Sequence, residues 1–197
     1  NQFLIDLDVV DKVAYQKKND RFYQDYLNAT LDIRSYQRFA CEILQRYEIK
    51  QVEKWRAQYL ENVVRPQIQT KALDCIQNYK IQGYTTMIIS ATNTFIVEPI
   101  ALLHGVDAFL GCEFEIKNGR YTGELIGIPT YQKGKIDALN AWLSANGAKP
   151  EGIHFYSDSI NDRPLLELAD KGFVVDPDES LATLAHQKGW PVINLID

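Results

Sequence analysis

The chain is 197 residues long, 46% hydrophobic and 24% charged, with 21 Lys+Arg against 26 Asp+Glu and a net charge of −5. That composition excludes a disordered or low-complexity chain, and 11 Gly with 7 Pro exclude a collagen-like one. The acid excess argues against a strongly basic nucleic-acid grip, and no run approaches the ~18 apolar residues of a membrane helix.

In chain order, Phe3-Leu4-Ile5 reads as a short buried strand running into Asp6-Leu7-Asp8. From about residue 11 to residue 80 the text is rich in Tyr, Gln, Glu and Arg. Apolar residues recur there at helical spacing: Phe22, Tyr26 and Leu27, then Phe39, Ile43 and Leu44, then Val52, Trp55 and Leu60. Asn28-Ala29-Thr30 breaks this block, with Asp32 placed to cap the next helix, and residues 47–50 break it again. Pro66 is expected to start a further helix through Ala72, Cys75 and Ile76.

Beyond residue 80 strands and helices alternate. Strands are expected at 85–90, 153–156, 173–175 and 191–195, and helices at 96–103, 136–143, 164–169 and 181–187. Pro99 must sit in the first turn of its helix or bend it. Residues 109–116 and 120–126, joined by Asn118-Gly119, read as a hairpin, because Asn-Gly favours the turn that hairpins need. Short, uncharged strands between helices call for an α/β fold with a Rossmann-like parallel sheet. Residues 1–8 and 81–197 would form this core, and residues 9–80 a helical cap inserted after the first strand. Such a cap stands over the carboxyl edge of the sheet, where open α/β folds bind ligands.

The residue types at those strand ends suit phosphoryl transfer. Asp6 and Asp8 follow the first strand, Ser90 closes another, Lys135 opens a helix, and Asp158 and Asp162 follow residues 153–156. Crowded carboxylates repel unless a hard cation sits among them, and Mg²⁺ prefers oxygen ligands, water and phosphate. Asp6 is the candidate nucleophile and Asp8 the acid/base. Lys135 supplies positive charge to an anionic substrate, and Ser90 with the following amides, Ala91 first, holds a phosphate oxygen. Asp158 would ligate the metal. Asp162 would be a ligand, a water-mediated one, or the partner that orients Lys135.

The ordered set resembles the haloacid dehalogenase-like superfamily, in its phosphoserine-phosphatase-like branch with a helical cap. Asp6-Leu7-Asp8 resembles the first motif of that family and Ile88-Ile89-Ser90-Ala91-Thr92-Asn93 the second. Gly134-Lys135 resembles the third and Tyr156-Ser157-Asp158-Ser159-Ile160-Asn161-Asp162 the fourth, while Gly119-Arg120-Tyr121-Thr122-Gly123 is similar to the family hairpin. The resemblance implies a Mg²⁺-dependent phosphomonoesterase working through an aspartyl-phosphate. It implies Asp6 as nucleophile, Asp8 as acid/base, and Asp6, Asp8 and Asp158 at the metal. Ser90, Ala91, Lys135 and Asn161 would meet the substrate, with Asp162 in support.

One departure stands out. Asp8 passes directly to Val9-Val10-Asp11, text similar to what the family places later, inside its cap, so a segment is absent between Asp8 and Val9. This departure is also the best support for the alternative, a phosphate- or metal-binding module of the same fold that no longer turns over. A dinucleotide-binding protein would need a glycine-rich turn after its first strand, where this chain has Asp-Leu-Asp.

In the cap, Arg21, Arg34, Arg38 and Arg65 are candidates for a second anionic group of the substrate, against a plain reading as solvated helix residues. Tyr15, Phe22, Tyr23 and Tyr26 are pocket candidates that helical spacing assigns to packing first. Lys133 competes with Lys135, which is preferred because it follows Gly134. Cys41, Cys75 and Cys112 form no metal-like cluster, nor do the histidines, and an odd cysteine count favours a reducing compartment. No basic start with a small-residue cleavage site is visible, so the expected location is cytoplasmic. The expected partner is a small phosphorylated metabolite, such as phosphoserine or histidinol phosphate, with no nucleic acid and no membrane. Oligomeric state has no signal in the sequence.

Overall fold

The helical block forms because Asp side chains cap it. In the computed structural model, which describes residues 11–197, α1 (Lys12–Leu27) starts where the Asp11 carboxylate accepts from the Ala14 amide at 2.9 Å. The helix stops at Asn28-Ala29-Thr30, with Ala29 at φ 56°. Asp32 then caps α2 (Ile33–Cys41) through the amides of Arg34 and Ser35. Phe3-Leu4-Ile5, Asp6, Asp8 and the join between Asp8 and Val9 lie outside the described residues.

A short 3₁₀ turn at Leu44–Arg46 leads to α3 (Ile49–Tyr59), which widens into a π turn at Leu60–Val64. Pro66 does not open the next helix. It lies in a 3₁₀ turn (Arg65–Gln67), after which the backbone extends at Ile68 and Gln69. The following helix, α4 (Thr70–Ile81), begins four residues later, because Asp197 supplies its cap from 127 residues away: its carboxylate accepts from the Thr70 amide at 2.6 Å and the Lys71 amide at 3.1 Å. α4 is also bonded to the α/β half through Tyr79, which meets His154 and Tyr156, and through Lys80, which pairs with Asp107.

The α/β half carries β1 (Met87–Asn93), α5 (Thr94–His104), β2 (Ala108–Lys117), β3 (Arg120–Ile126), α6 (Lys133–Ala145), β4 (His154–Ser157), α7 (Arg163–Leu168), β5 (Lys171–Val175), α8 (Glu179–Lys188) and β6 (Val192–Ile193). β1 pairs parallel with β2, and β2 antiparallel with β3; β4, β5 and β6 pair in parallel. The hairpin turn has Asn118 at φ 52° and Gly119 at φ 70°, the two positive angles that its sequence favours. The α/β architecture with a helical cap is thus present, with β3 antiparallel to its neighbour. The strand expected at residues 85–90 is shifted: Thr86 leaves the ladder to bond Asp107, and β1 runs three residues past Ser90 with an irregularity between Ile89 and Asn93.

Pro99 lies inside α5, not in its first turn. It has no amide hydrogen for the Phe95 carbonyl four residues back. Arg56 of α3 fills the vacancy, donating from Nη1 to that carbonyl at 3.1 Å while its guanidinium lies 4.5 Å from the Phe95 ring centre. A helix irregularity thus becomes a joint between cap and core.

Hydrophobic packing follows the same division. Tyr15, Phe39 and Ile43 form a small core inside the cap. Cys41, Leu44 and Val52 of the cap bury against Phe95 and Phe114, so the cap is fused to the hairpin side of the α/β half. Each such side chain contributes about 1.5–3 kcal/mol on burial. Phe155, Leu165, Leu166, Val174, Leu181 and Ala185 form the core around β4 and β5. No helix among the described residues is long and apolar enough to cross a membrane.

Candidate active site

Lys135 is positioned by an unusual approach to α6. Gly134 is required there, since a Cβ would lie 2.0 Å from the Pro129 carbonyl oxygen. Two residues earlier Gln132 has φ 49° and ψ −123°, a conformation that side-chain-bearing residues avoid. Its amide nitrogen reaches the Asn161 side-chain oxygen at 3.2 Å, the Tyr131 hydroxyl at 3.2 Å and the Ala29 carbonyl at 3.3 Å. This turn delivers Lys135 into the interior, where it is 6% exposed, whereas Lys133 faces solvent.

There Lys135 meets Asp162, at 2.6 Å to one carboxylate oxygen and 2.7 Å to the other. Ser157 donates its hydroxyl to the same carboxylate at 2.7 Å. Both oxygens of Asp162 are therefore engaged, and of the three arrangements open from the sequence the geometry matches the partner of Lys135. Asp158 differs. It is exposed and carries no hydrogen bond or ion pair among the described residues, although Ser157, Ser159, Asn161 and Asp162 around it are buried. Ser159 also donates its amide to the Ser157 hydroxyl at 3.1 Å, which fixes the loop that presents Asp158.

Ser90 is tied to the segment that leads into α6 by Thr130, whose hydroxyl donates to the Ser90 carbonyl. The Ser90 hydroxyl accepts from the Thr92 amide at 3.1 Å. The Ala91 carbonyl accepts from the Gln37 side chain at 2.6 Å and from Cys112 Sγ at 3.4 Å. Burial pushes the Cys112 thiol above its ordinary range, which suits packing and not nucleophilic chemistry.

The cap closes onto these loops at several points. The Tyr26 hydroxyl and Ser159 lie 2.6 Å apart, the Asn161 amide donates to the Tyr26 carbonyl at 2.9 Å, and Gln45 donates to the Thr122 carbonyl at 2.5 Å. The Tyr131 hydroxyl donates to Asn161 at 2.8 Å, and burial, then the neighbouring Tyr26, pushes its pKa up to about 12. Asn161 is thus held by protein on both ends of its amide. Of the cap arginines, Arg38 pairs with Glu124 at 3.5 Å and Arg65 with Glu61 at 2.9 Å on the surface. Tyr15 and Phe22 pack against Phe39, as helical spacing implies.

Gln37, Thr130, Tyr131 and Gln132 bond to the site loops without having been singled out from the sequence, whereas Tyr26 was a pocket candidate there. Thr130-Tyr131-Gln132 stands one residue before Gly134-Lys135, which was the available signal; Gln37 had none.

A profile described as haloacid dehalogenase-like hydrolase matches residues 9–167. The chain belongs to the haloacid dehalogenase-like hydrolases. This hydrolase is 36% identical over 197 residues to the histidinol-phosphatase of Neisseria meningitidis serogroup C (strain 8013), covering 98% of this chain and 89% of that one. It is 32% identical over 148 residues to a probable phosphatase of Mycobacterium tuberculosis (strain ATCC 25618 / H37Rv), covering 75% of this chain and 51% of the relative, about half that protein's length. Among solved structures, a protein of unknown function from Bordetella pertussis Tohama I matches with a TM-score of 0.91 and 29% identity, covering 98% of this chain and 89% of that one. A phospho-aspartyl intermediate analogue of phosphoserine phosphatase matches in fold, with a TM-score of 0.67, 17% identity and coverage of 99% and 85%. The chain is therefore an enzyme of the haloacid dehalogenase-like hydrolase family, with a fold that phosphoserine phosphatase shares.

Among the described residues no group of three His, Cys, Asp or Glu is placed to hold a metal. Asp158, exposed and unbonded among the described residues, offers one carboxylate of the oxygen type a hard cation takes.

Proposed function

We propose that this enzyme hydrolyses a small phosphomonoester through a phosphorylated Asp6. The observation that carries the reading is the buried Lys135–Asp162 pair beside Asp158, which is exposed and unbonded among the described residues, in a chain that matches a family of hydrolases. Ser90 and Asp158 lie at or just beyond the ends of β1 and β4, and Asp6 and Asp8 are assigned from their motif in the sequence.

Asp6 would attack phosphorus, forming an O–P bond while the ester O–P bond breaks. Asp8 would give its proton to the leaving alkoxide, then take one from the water that splits the acyl phosphate. Lys135 would face the phosphoryl oxygens, held by Asp162. Ser90 and the amide of Ala91 would bind another oxygen, while Asn161, whose amide is tied to Tyr26 and Tyr131, would meet the substrate only by exchanging one of those bonds. Asp6, Asp8 and Asp158 would hold Mg²⁺, which when bound offsets the negative charge gathering on the phosphoryl group. The cap, taken as residues 9–80, would exclude water, though α4 within that range is bonded to the core.

For the substrate, the likeness to a histidinol-phosphatase and the fold shared with phosphoserine phosphatase support a phosphorylated amino alcohol. A phosphate-release screen of such esters tests this, run with Mg²⁺ and with chelator. Release from several small esters, abolished by chelator, supports the reading; no release from any of them rejects it.

A further inference from the structure

Lys135, Ser159, Asn161 and Asp162 are all buried, so a phosphoryl group reaches Lys135 only when part of the structure moves aside. The cap bonds to this group through the end of α1. The Tyr26 and Ser159 hydroxyls lie 2.6 Å apart, the Tyr26 carbonyl accepts from Asn161 at 2.9 Å, and the Ala29 carbonyl accepts from Gln132 at 3.3 Å. These bonds reach both the loop that carries Asp158 and the turn that delivers Lys135. Little else holds the stretch: no residue of 23–30 belongs to an apolar cluster among the described residues, Tyr23 and Leu27 are exposed, and the Tyr26 and Tyr131 ring centres are 6.3 Å apart.

The rest of the cap is held differently. One turn before Tyr26, Phe22 stacks on Phe39 at 5.3 Å, and just after the stretch Leu31 is buried. α2, the turn after it and α3 share an apolar cluster with the core, made by Cys41, Leu44, Val52, Phe95 and Phe114. Gln37 and Arg56 bolt them further to the Ala91 and Phe95 carbonyls. Each buried apolar side chain shifts an opening equilibrium by more than about tenfold, and each hydrogen bond that water can replace by about fivefold. Three such bonds yield long before five packed side chains do.

We propose that the stretch from Tyr26 to Thr30 is the entry gate of the site, with the Tyr26–Ser159 contact as its latch. The stretch undocks between its anchors, Phe22 and Leu31, while the rest of the cap stays fixed on the core. The motion is a local opening and not a swing of the whole cap. It also releases the Asn161 amide nitrogen, which is otherwise spent on Tyr26. The inference deepens the phosphatase reading and rests on it for what passes the gate: a small phosphorylated molecule inward and inorganic phosphate outward. Weakening a latch speeds entry and exit by the same factor and leaves affinity unchanged, because free and occupied protein open more readily to the same extent.

The test uses Tyr26→Phe, which removes the bond to Ser159 and keeps the main-chain bond to Asn161. Two measurements compare it with the natural protein, both with Mg²⁺. In hydrogen–deuterium exchange read by mass spectrometry, residues 23–31 are expected to exchange about fivefold faster in the variant, while residues 39–46 and 120–126 stay within about twofold. Faster exchange in all three segments together, as a swinging cap requires, overturns the proposal, and so does unchanged exchange in residues 23–31. In phosphorus NMR with inorganic phosphate, the entry and exit rates are expected to rise together by about fivefold, with Kd changed by less than about twofold. Unchanged rates overturn the gate, as does a Kd that weakens in step with exit alone, which would make Tyr26 a contact of the bound phosphate. No phosphate binding by the natural protein would reject the phosphatase reading, and the exchange result would still decide whether this stretch opens by itself.

Discussion

Lys135 grips both oxygens of Asp162, at 2.6 and 2.7 Å, in a pocket where the two side chains are 7% and 11% exposed. Removing one partner from so buried a pair strands a charge, at about 3–5 kcal/mol. Asp162→Ala is therefore expected to lower the melting temperature clearly and to cut phosphate release. The double variant Lys135→Met, Asp162→Leu is expected to recover most of the stability and none of the activity. Thermal melts beside phosphate-release assays check both; activity in the stable double variant would remove Lys135 from the site.

Asp158 behaves oppositely. With no bond to Asp158 among the described residues, Asp158→Asn is expected to leave the stability of the metal-free protein within about 0.5 kcal/mol of the natural value. It should raise the Mg²⁺ concentration needed for half-maximal activity at least about tenfold. Titration of activity with Mg²⁺, beside a melt, separates the two effects.

Ser90→Ala keeps the Thr130 bond, which goes to the main chain, and loses only the hydroxyl that accepts from Thr92. The fold is expected to survive, with kcat/KM down about tenfold or more. An unchanged rate would remove the Ser90 hydroxyl from phosphate binding.

Much of this was legible in the sequence, for physical reasons. Asn118-Gly119 specifies its turn by the angles its backbone needs, and Asp32 caps α2 locally, so both are visible in a few residues. The start of α4 was misplaced at Pro66 because its cap, Asp197, is 127 residues distant. β1 was misplaced because Asp107 draws Thr86 out of the ladder. Lys135, Asp158 and Asp162 could be picked out by order along the chain. Gln37 could not, since cap residues meet the core only through tertiary docking, and Tyr26 was a pocket candidate whose helical spacing reads as packing first.

Gln132 holds a strained backbone that costs about 1–3 kcal/mol while tying Ala29 of the cap to Asn161. In Gln132→Gly the relieved strain offsets the lost hydrogen bonds, so stability is expected to change by less than about 1 kcal/mol. Activity should fall severalfold, because the turn that presents Lys135 loosens. Paired melts and kcat/KM values check this; unchanged activity would make the strain incidental.

Asp107 provides an acid-sensitive anchor between α4 and the strand edge. The Lys80 ammonium bonded to it, with the Thr86 amide and hydroxyl, holds its pKa down at about 2, against an ordinary 3.8. A carboxyl depressed on folding stabilises the protein above its unfolded pKa. That contribution is full above pH 3.8 and is lost as pH falls toward about 2. Asp107→Asn is expected to flatten the fall in melting temperature across that window, measured against the natural protein in matched buffers.

The central claim is that Asp6 carries the phosphoryl group. Rapid-quench mass spectrometry during turnover with Mg²⁺ tests it directly. The account predicts one added phosphoryl group on the peptide containing Asp6, absent in Asp6→Asn, which releases no phosphate. Steady turnover with no labelled peptide, or a label on any other residue, would contradict it.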